Sequence, residues 1–174
     1  MFNFFKKRKP QEEKLYNKIL NLSRNKFFYS DLDLKDNFQN RVNLIFFHIS
    51  FLFININTLS DKSKSKKFSQ GIFDFIFIKI EENMREIGFS DTSVNKNMKF
   101  LVKNFYNILL NCENYRRISI NEKSSFIFKY IDLNTLSNMA NNNELIDYFD
   151  KYSAFCLDLS SDNVLKGEIN FNYN

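Results

Sequence analysis

A run of apolar residues at helical spacing, closed by a stop signal, constrains this chain more than any other feature. Phe68, Ile72, Phe75, Ile76, Ile80, Met84 and Ile87 recur at intervals of three and four, which places them on one side of an α-helix. Gln70, Asp74, Glu81, Glu82 and Arg85 fall largely outside that stripe. Gly88 follows the last periodic residue and is able to adopt the left-handed conformation that ends a helix, while Ser90 to Ser93 supply side-chain oxygens to cap the next one.

The same period recurs elsewhere. Gln11 to Arg24 is expected to be a first helix, with Leu15, Ile19, Leu20 and Leu22 in the core. A second helix is expected over Phe38 to Leu59, and a fourth over Ser93 to Asn111 with Val94, Met98, Leu101, Val102, Phe105, Leu109 and Leu110 on its apolar side. Glu122 to Asn138 is expected to contain a shorter helix, and Glu144 to Leu159 the last long one, carrying Leu145, Tyr148, Phe149, Tyr152, Phe155 and Cys156. Between these, Asn25 to Asn37 reads as a loop with room for one turn, Ser60 to Lys67 (SDKSKSKK) as a solvated linker, and Asn114 to Asn121 and Asn141 to Asn143 as polar breaks. Gly167 marks a turn that lets Ile169 and Phe171 fold back onto the body.

Only 3 Gly and 1 Pro occur among 174 residues, too little turn punctuation for a sandwich or barrel. The expected architecture is therefore all-α: a single-domain bundle of about five to six helices with short loops. The expected division is a basic, aromatic tail over residues 1–10 and a helical domain over 11–174. The 22 Phe accompany many Asn, Lys and Ile, as in a chain from an AT-rich genome, so the Phe excess is discounted as a functional signal.

Val42 to Leu59 contains no formal charge over nearly the length needed to span a bilayer. Asn43, His48, Ser50, Asn55 and Asn57 interrupt it, and its apolar residues keep helical spacing, so a buried central helix fits better than a lipid-exposed one. No secretory signal is read in Met1 to Lys9. Cys112 and Cys156 lie in separate helical segments without a CxxC pattern, which favours a reducing compartment over a disulfide or zinc site.

Catalytic chemistry finds little support. His48 is the only histidine, no acid or nucleophile is specified beside it, and burial among apolar neighbours is expected to lower its pKa. No phosphate-cradling glycine loop, calcium loop or other cofactor or metal signature is present, and no cofactor is expected. The net charge of +5 permits an anionic partner, but the lysines are scattered over helix faces, tail and linker, so direct DNA binding is not expected. Three Phe beside Lys6, Lys7, Arg8 and Lys9 form a tail suited to anionic headgroups or, more simply, to solvent. Glu81 and Arg85 have the i,i+4 order that stabilises an exposed helix, and Arg85 is placed to reach a carboxylate beyond the helix end.

Four segments, LYNKILNLSRNKFFY, DNFQNRVNLIFFH, SQGIFDFIFIKIEENMREIGFSD and VNKNMKFLVKNFYN, resemble in order the ubiquinol–cytochrome c chaperone family, over about Leu15 to Phe171. Tyr16, Arg24 and Tyr29 resemble the family's first tyrosine and arginine positions; Asp36, Arg41 and His48 resemble the acid, arginine and histidine that follow. Gln70, Asp74, Arg85, Glu86, Gly88 and Asp91 match its strongest block, and Gly167 and Phe171 its closing glycine and aromatic. The chain departs from the pattern at Lys79 and Glu81, and at Asn107 and Ile108, which follow Phe105 and Tyr106 where the family usually has glycine and arginine.

The resemblance implies an all-α, non-catalytic assembly chaperone that binds newly made cytochrome b and helps it enter the reductase. Mitochondrial members act beside the ribosome with a small partner protein. The lack of an Arg- and Ser-rich leader favours a bacterial, cytoplasmic member working at the inner membrane, on a ribosome or an anionic surface. Arg41, His48, Asp74, Arg85, Glu86, Gly88, Asp91 and Tyr106 are the candidate client-binding or structural residues. For Arg85, Glu86 and Asp91, locking two helices together is favoured over meeting the client. The competing class is a helical scaffold or adaptor at the membrane surface without a cytochrome client.

Overall fold

A computed structural model describes residues 10–134 and 139–173. Among them are seven α-helices: α1 (Pro10–Ser23), α2 (Phe38–Ile56), α3 (Lys62–Glu86), α4 (Asp91–Asn114), α5 (Ile120–Phe128), α6 (Met139–Asp158) and α7 (Ser161–Leu165). The expected tail lies outside the described residues apart from Pro10, which begins α1. The only β pairing among the described residues is an isolated antiparallel bridge between Leu34 and Leu133. The protein is an all-α, single-domain bundle.

Local signals start most of these helices. Asn37 caps α2 by accepting from the Asn40 N–H at 2.8 Å, Asp61 caps α3 through the Lys64 N–H at 2.9 Å, and Ser90 caps α4 through the Ser93 N–H. Ser119 and Glu122 form a reciprocal capping box at the start of α5.

The bundle is built around α2, in which 15 of 19 residues are buried, against α1, α3, α4, α6 and α7. Its phenylalanines are matched by others across the interfaces: Phe46 meets Phe77 and Phe105 at 5.5 and 5.4 Å between ring centroids, and Phe47 meets Phe149 at 4.9 Å. The Phe excess thus builds the core. Among the described residues no helix is long and apolar enough to cross a membrane.

Three sequence expectations are corrected. Most of the Ser60 to Lys67 linker is helical: α3 begins at Lys62, because Asp61 caps it and the buried Ser65 hydroxyl donates to the Ile56 carbonyl at 3.0 Å. Asn141 to Asn143 lie within α6 instead of breaking the chain. The shorter helix expected within Glu122 to Asn138, with an apolar set running to Leu133, ends at Phe128; a turn follows, and Leu133 bridges to Leu34 instead, while residues 135–138 lie outside the described set. The Asn25 to Asn37 segment holds the one turn expected of it: Phe27–Asp31 is π-helical and buries Phe28.

Two glycines sit at backbone positions that need positive φ. Gly88 has φ +94° and open space around its missing Cβ, while Gly167 has φ +68° and a Cβ there would lie 3.0 Å from both the Gln11 carbonyl oxygen and the Leu15 nitrogen. Gly88→Ala is expected to cost about 1 to 2 kcal/mol of conformational strain alone. Gly167→Ala adds a backbone clash and is expected to cost more. Urea unfolding of the two variants checks the order; equal losses would contradict it.

Candidate functional site

The junction of α3 and α4 carries the densest set of candidate residues. The Phe89 N–H bonds the Met84 carbonyl at 3.0 Å and the Gly88 N–H bonds that of Arg85 at 3.1 Å, the two bonds of a Schellman closure that requires the left-handed Gly88. This turn brings the first residue of α4, Asp91, back towards the last turn of α3. Arg85 fills the space between: its guanidinium donates to Asp91 and, at 2.9 Å, to Glu81. The sequence expectation of an arginine reaching a carboxylate beyond the helix end is met by Asp91. Asp91 is also placed where the helix dipole of α4 favours negative charge.

Glu86 makes no hydrogen bond or ion pair among the described residues and faces solvent. Beside it, Ile87 is 58% and Phe89 37% exposed. Ile87, expected in the buried stripe, instead occupies the last position before Gly88, where the chain has already turned away from the core.

The other candidates do not join this cluster. Arg41 forms a two-bond pair with Asp36, at 2.6 and 2.8 Å, and this holds the Asp36 carboxyl below its ordinary range. Asp74 accepts from Gln70 one turn earlier in α3, at 2.7 Å. Tyr106 is half exposed and leans on Phe73 at 5.8 Å. The sequence places these residues in one motif series; the structure leaves Arg41 on α2, Asp74 on α3 and Tyr106 on α4, each with its own partner.

His48 lies in the interior. Its Nδ1 is 2.6 Å from the Leu44 carbonyl, which can only accept, so Nδ1 carries the hydrogen and Nε2 accepts from the Tyr148 hydroxyl at 2.7 Å. Burial, opposed in part by the Leu44 bond, pushes its pKa down to about 4. Burial likewise raises the Tyr148 hydroxyl. A neutral imidazole sealed in this way positions α2 against α6 and has no access to a substrate.

Sequence reasoning missed Tyr148 as the partner of His48, although a tyrosine on the apolar side of α6 was a signal. It also missed the role of the asparagines of α2. Asn40 donates to the Lys35 and Asp132 carbonyls at 2.8 and 2.7 Å, Asn43 to Tyr130 at 2.7 Å, and Asn55 to Leu159 at 3.0 Å. Leu110, expected in the apolar stripe of α4, is 60% exposed, and Ile108 is buried in its place.

Two clefts of about 400 Å³ open on the surface. One lies between α2, α4 and α6, with Cys112 on its wall and Arg116 and Arg117 at its edge; the other has Phe73 and Tyr106 facing Lys62 and Lys66. Burial raises the Cys112 thiol well above its ordinary range, which suppresses the reactive thiolate. Among the described residues no group of three or more His, Cys, Asp or Glu is arranged to hold a metal ion.

The burial of His48 sets a pH dependence. An unfolded imidazole takes its proton near 6.5, the folded one only near 4, so protonation favours the unfolded chain between those values. This part of the stability is complete above pH 6.5 and declines by about 3 kcal/mol as pH falls to 4. Unfolding measured across that window should show a shallower pH slope in His48→Gln, and identical slopes would refute the assignment. Tyr148→Phe leaves Nε2 buried without a donor and is expected to cost about 1 to 3 kcal/mol at neutral pH.

Comparison with known proteins bears on this surface. Residues 30–115 match the family described as Ubiquinol-cytochrome C chaperone. The fold is similar to the crystal structure of the Cbp3 homolog from Brucella abortus, with a TM-score of 0.80, 18% sequence identity, and coverage of 95% of this chain and 91% of that one. No curated protein matches the sequence. The family segment takes in α2, α3, the junction and α4, so the Arg85–Asp91 turn sits inside it. By that match, the chain belongs to the ubiquinol-cytochrome C chaperone family.

Proposed function

We propose that this chain is a non-catalytic assembly chaperone that binds newly synthesised cytochrome b and promotes its assembly into the ubiquinol–cytochrome c reductase. The observation that carries this is the family match over residues 30–115, within which the α3–α4 turn presents Ile87 and Phe89 to solvent beside Arg85, Glu86 and Asp91. A chaperone for an apolar membrane subunit needs such a combination: apolar side chains for the client, and charge around them for solubility.

Arg41, His48, Asp74, Gly88 and Tyr106 are assigned supporting roles. Arg41 and Asp74 fix helix surfaces through Asp36 and Gln70, His48 holds α2 to α6, Gly88 shapes the turn, and Tyr106 borders the exposed face of α4. The proposed place of work is the cytoplasmic face of a bacterial inner membrane, near a translating ribosome, where the client emerges. The basic, aromatic residues 1–10 and the cationic surfaces of the helical domain suit an anionic bilayer.

Arg85 ties α3 to α4, yet its side chain is 47% exposed and that of Asp91 82%, and bridges so open to water contribute little to stability. Arg85→Ala and Asp91→Ala are therefore expected to lower reductase assembly in a complementation assay while leaving thermal melting nearly unchanged. Normal cytochrome b levels in both variants would remove the junction from the mechanism. A large loss of melting temperature would reduce its role to a structural lock. Co-purification in gentle detergent tests the client itself, and recovery of lipid or ribosomal material without cytochrome b would redirect the proposal to a scaffold or adaptor.

A further inference from the structure

α4 is apolar on two sides. Val94, Leu101, Phe105, Ile108 and Cys112 point into the core. At 100° per residue, Lys96, Lys99, Phe100, Lys103, Tyr106 and Leu110 all fall within about 120° on the opposite side. There Phe100 is 52%, Tyr106 50% and Leu110 60% exposed, and the three lysines are exposed as well. None of these lysines forms an ion pair among the described residues. No acid occurs on α4 between Asp91 and Glu113. Across the groove beside Tyr106, Lys62 and Lys66 extend the same positive charge onto α3.

We propose that this outward face of α4 docks the protein on an anionic lipid bilayer, with Phe100, Tyr106 and Leu110 entering the headgroup layer and Lys96, Lys99 and Lys103 meeting lipid phosphates. The proposal rests on the membrane-surface part of the function above and not on the identity of the client. Charge selects the occupant. Lysines interleaved with apolar side chains on a convex helix match a planar anionic interface, where each long lysine stem lies along apolar surface while its ammonium stays in water. A second copy of the chain would set lysines against lysines across the contact, with no acid on the face to pair them.

Co-sedimentation of the full chain with vesicles tests this, using phosphatidylcholine alone and phosphatidylcholine mixed with phosphatidylglycerol. Binding is expected only to the mixed vesicles, and it should weaken as salt screens the charges. K96E/K99E/K103E is expected to lower the partition coefficient at least about a hundredfold, from the contribution of three basic residues near an anionic surface. F100S/L110S should lower it too, with both variants melting like the parent since every altered side chain is exposed.

A third variant, with Lys6, Lys7, Arg8 and Lys9 changed to Gln, separates the α4 face from the tail. If that variant loses vesicle binding and the α4 charge variant keeps it, the α4 proposal falls while membrane association stands. If the parent binds no vesicles, both fall. If K96E/K99E/K103E binds vesicles normally but no longer retains cytochrome b, the face belongs to the protein client and the lipid proposal is overturned.

Discussion

The hydrogen bonds that satisfy the polar groups of α2 are the constraint on which the rest of the bundle depends. A helix with 15 of 19 residues buried can carry polar side chains only if each finds a partner, since an unpaired buried group costs about 1 to 3 kcal/mol. Asn40 and Asn43 reach the backbone of Asp132 and Tyr130, just before Leu133, His48 reaches Tyr148 of α6, and Asn55 reaches Leu159 and the hydroxyl of Ser161. Of the buried interruptions in the apolar run, Asn43, His48 and Asn55 each bond a different piece of chain. Ser50 is the exception, its hydroxyl lacking a hydrogen-bond partner among the described residues. The apolar surface of α2 supplies the driving force, and the amides and imidazole fix which elements cover it and in what register.

Much of this was legible before any coordinates. The period of three and four identified the long helices, and the position of Gly88 and Ser90 identified the α3–α4 turn, because both signals are local. Errors arose where tertiary contacts override local preference. Ser and Lys in SDKSKSKK resemble a linker, but one buried hydroxyl, that of Ser65, and one cap, Asp61, are enough to make the segment the first turns of α3. Asn141 to Asn143 have poor helix propensity and are carried by the α6 that follows. Ile87 and Leu110 fit an apolar stripe by spacing yet are exposed, since periodicity reports an angle around a helix and says nothing of where the neighbouring helix stops.

The candidate site divides along the same line. Arg85 and Asp91 are six residues apart, so their meeting follows from the turn between them. Tyr148 is 100 residues from His48, and no local pattern joins them. The motif residues of the resemblance also fall into two physical kinds: those buried in the bundle, such as His48, and those left at its surface, such as Arg41, Asp74, Arg85 and Asp91. The exposed kind is concentrated in the segment that the family shares.

The bonds that hold α2 have a consequence for how the protein is made. Asn40 waits for Asp132, His48 for Tyr148, and Asn55 for Leu159, separations of 92, 100 and 104 residues. At ordinary translation rates the interval between synthesis of α2 and of the segments that cover it is on the order of 5 to 20 s. During that time the most apolar helix of the molecule is without its shelter, and the order of events is set by chain topology instead of by local helix formation, which takes microseconds or less. The nascent protein therefore carries an apolar helix that emerges well before its partners.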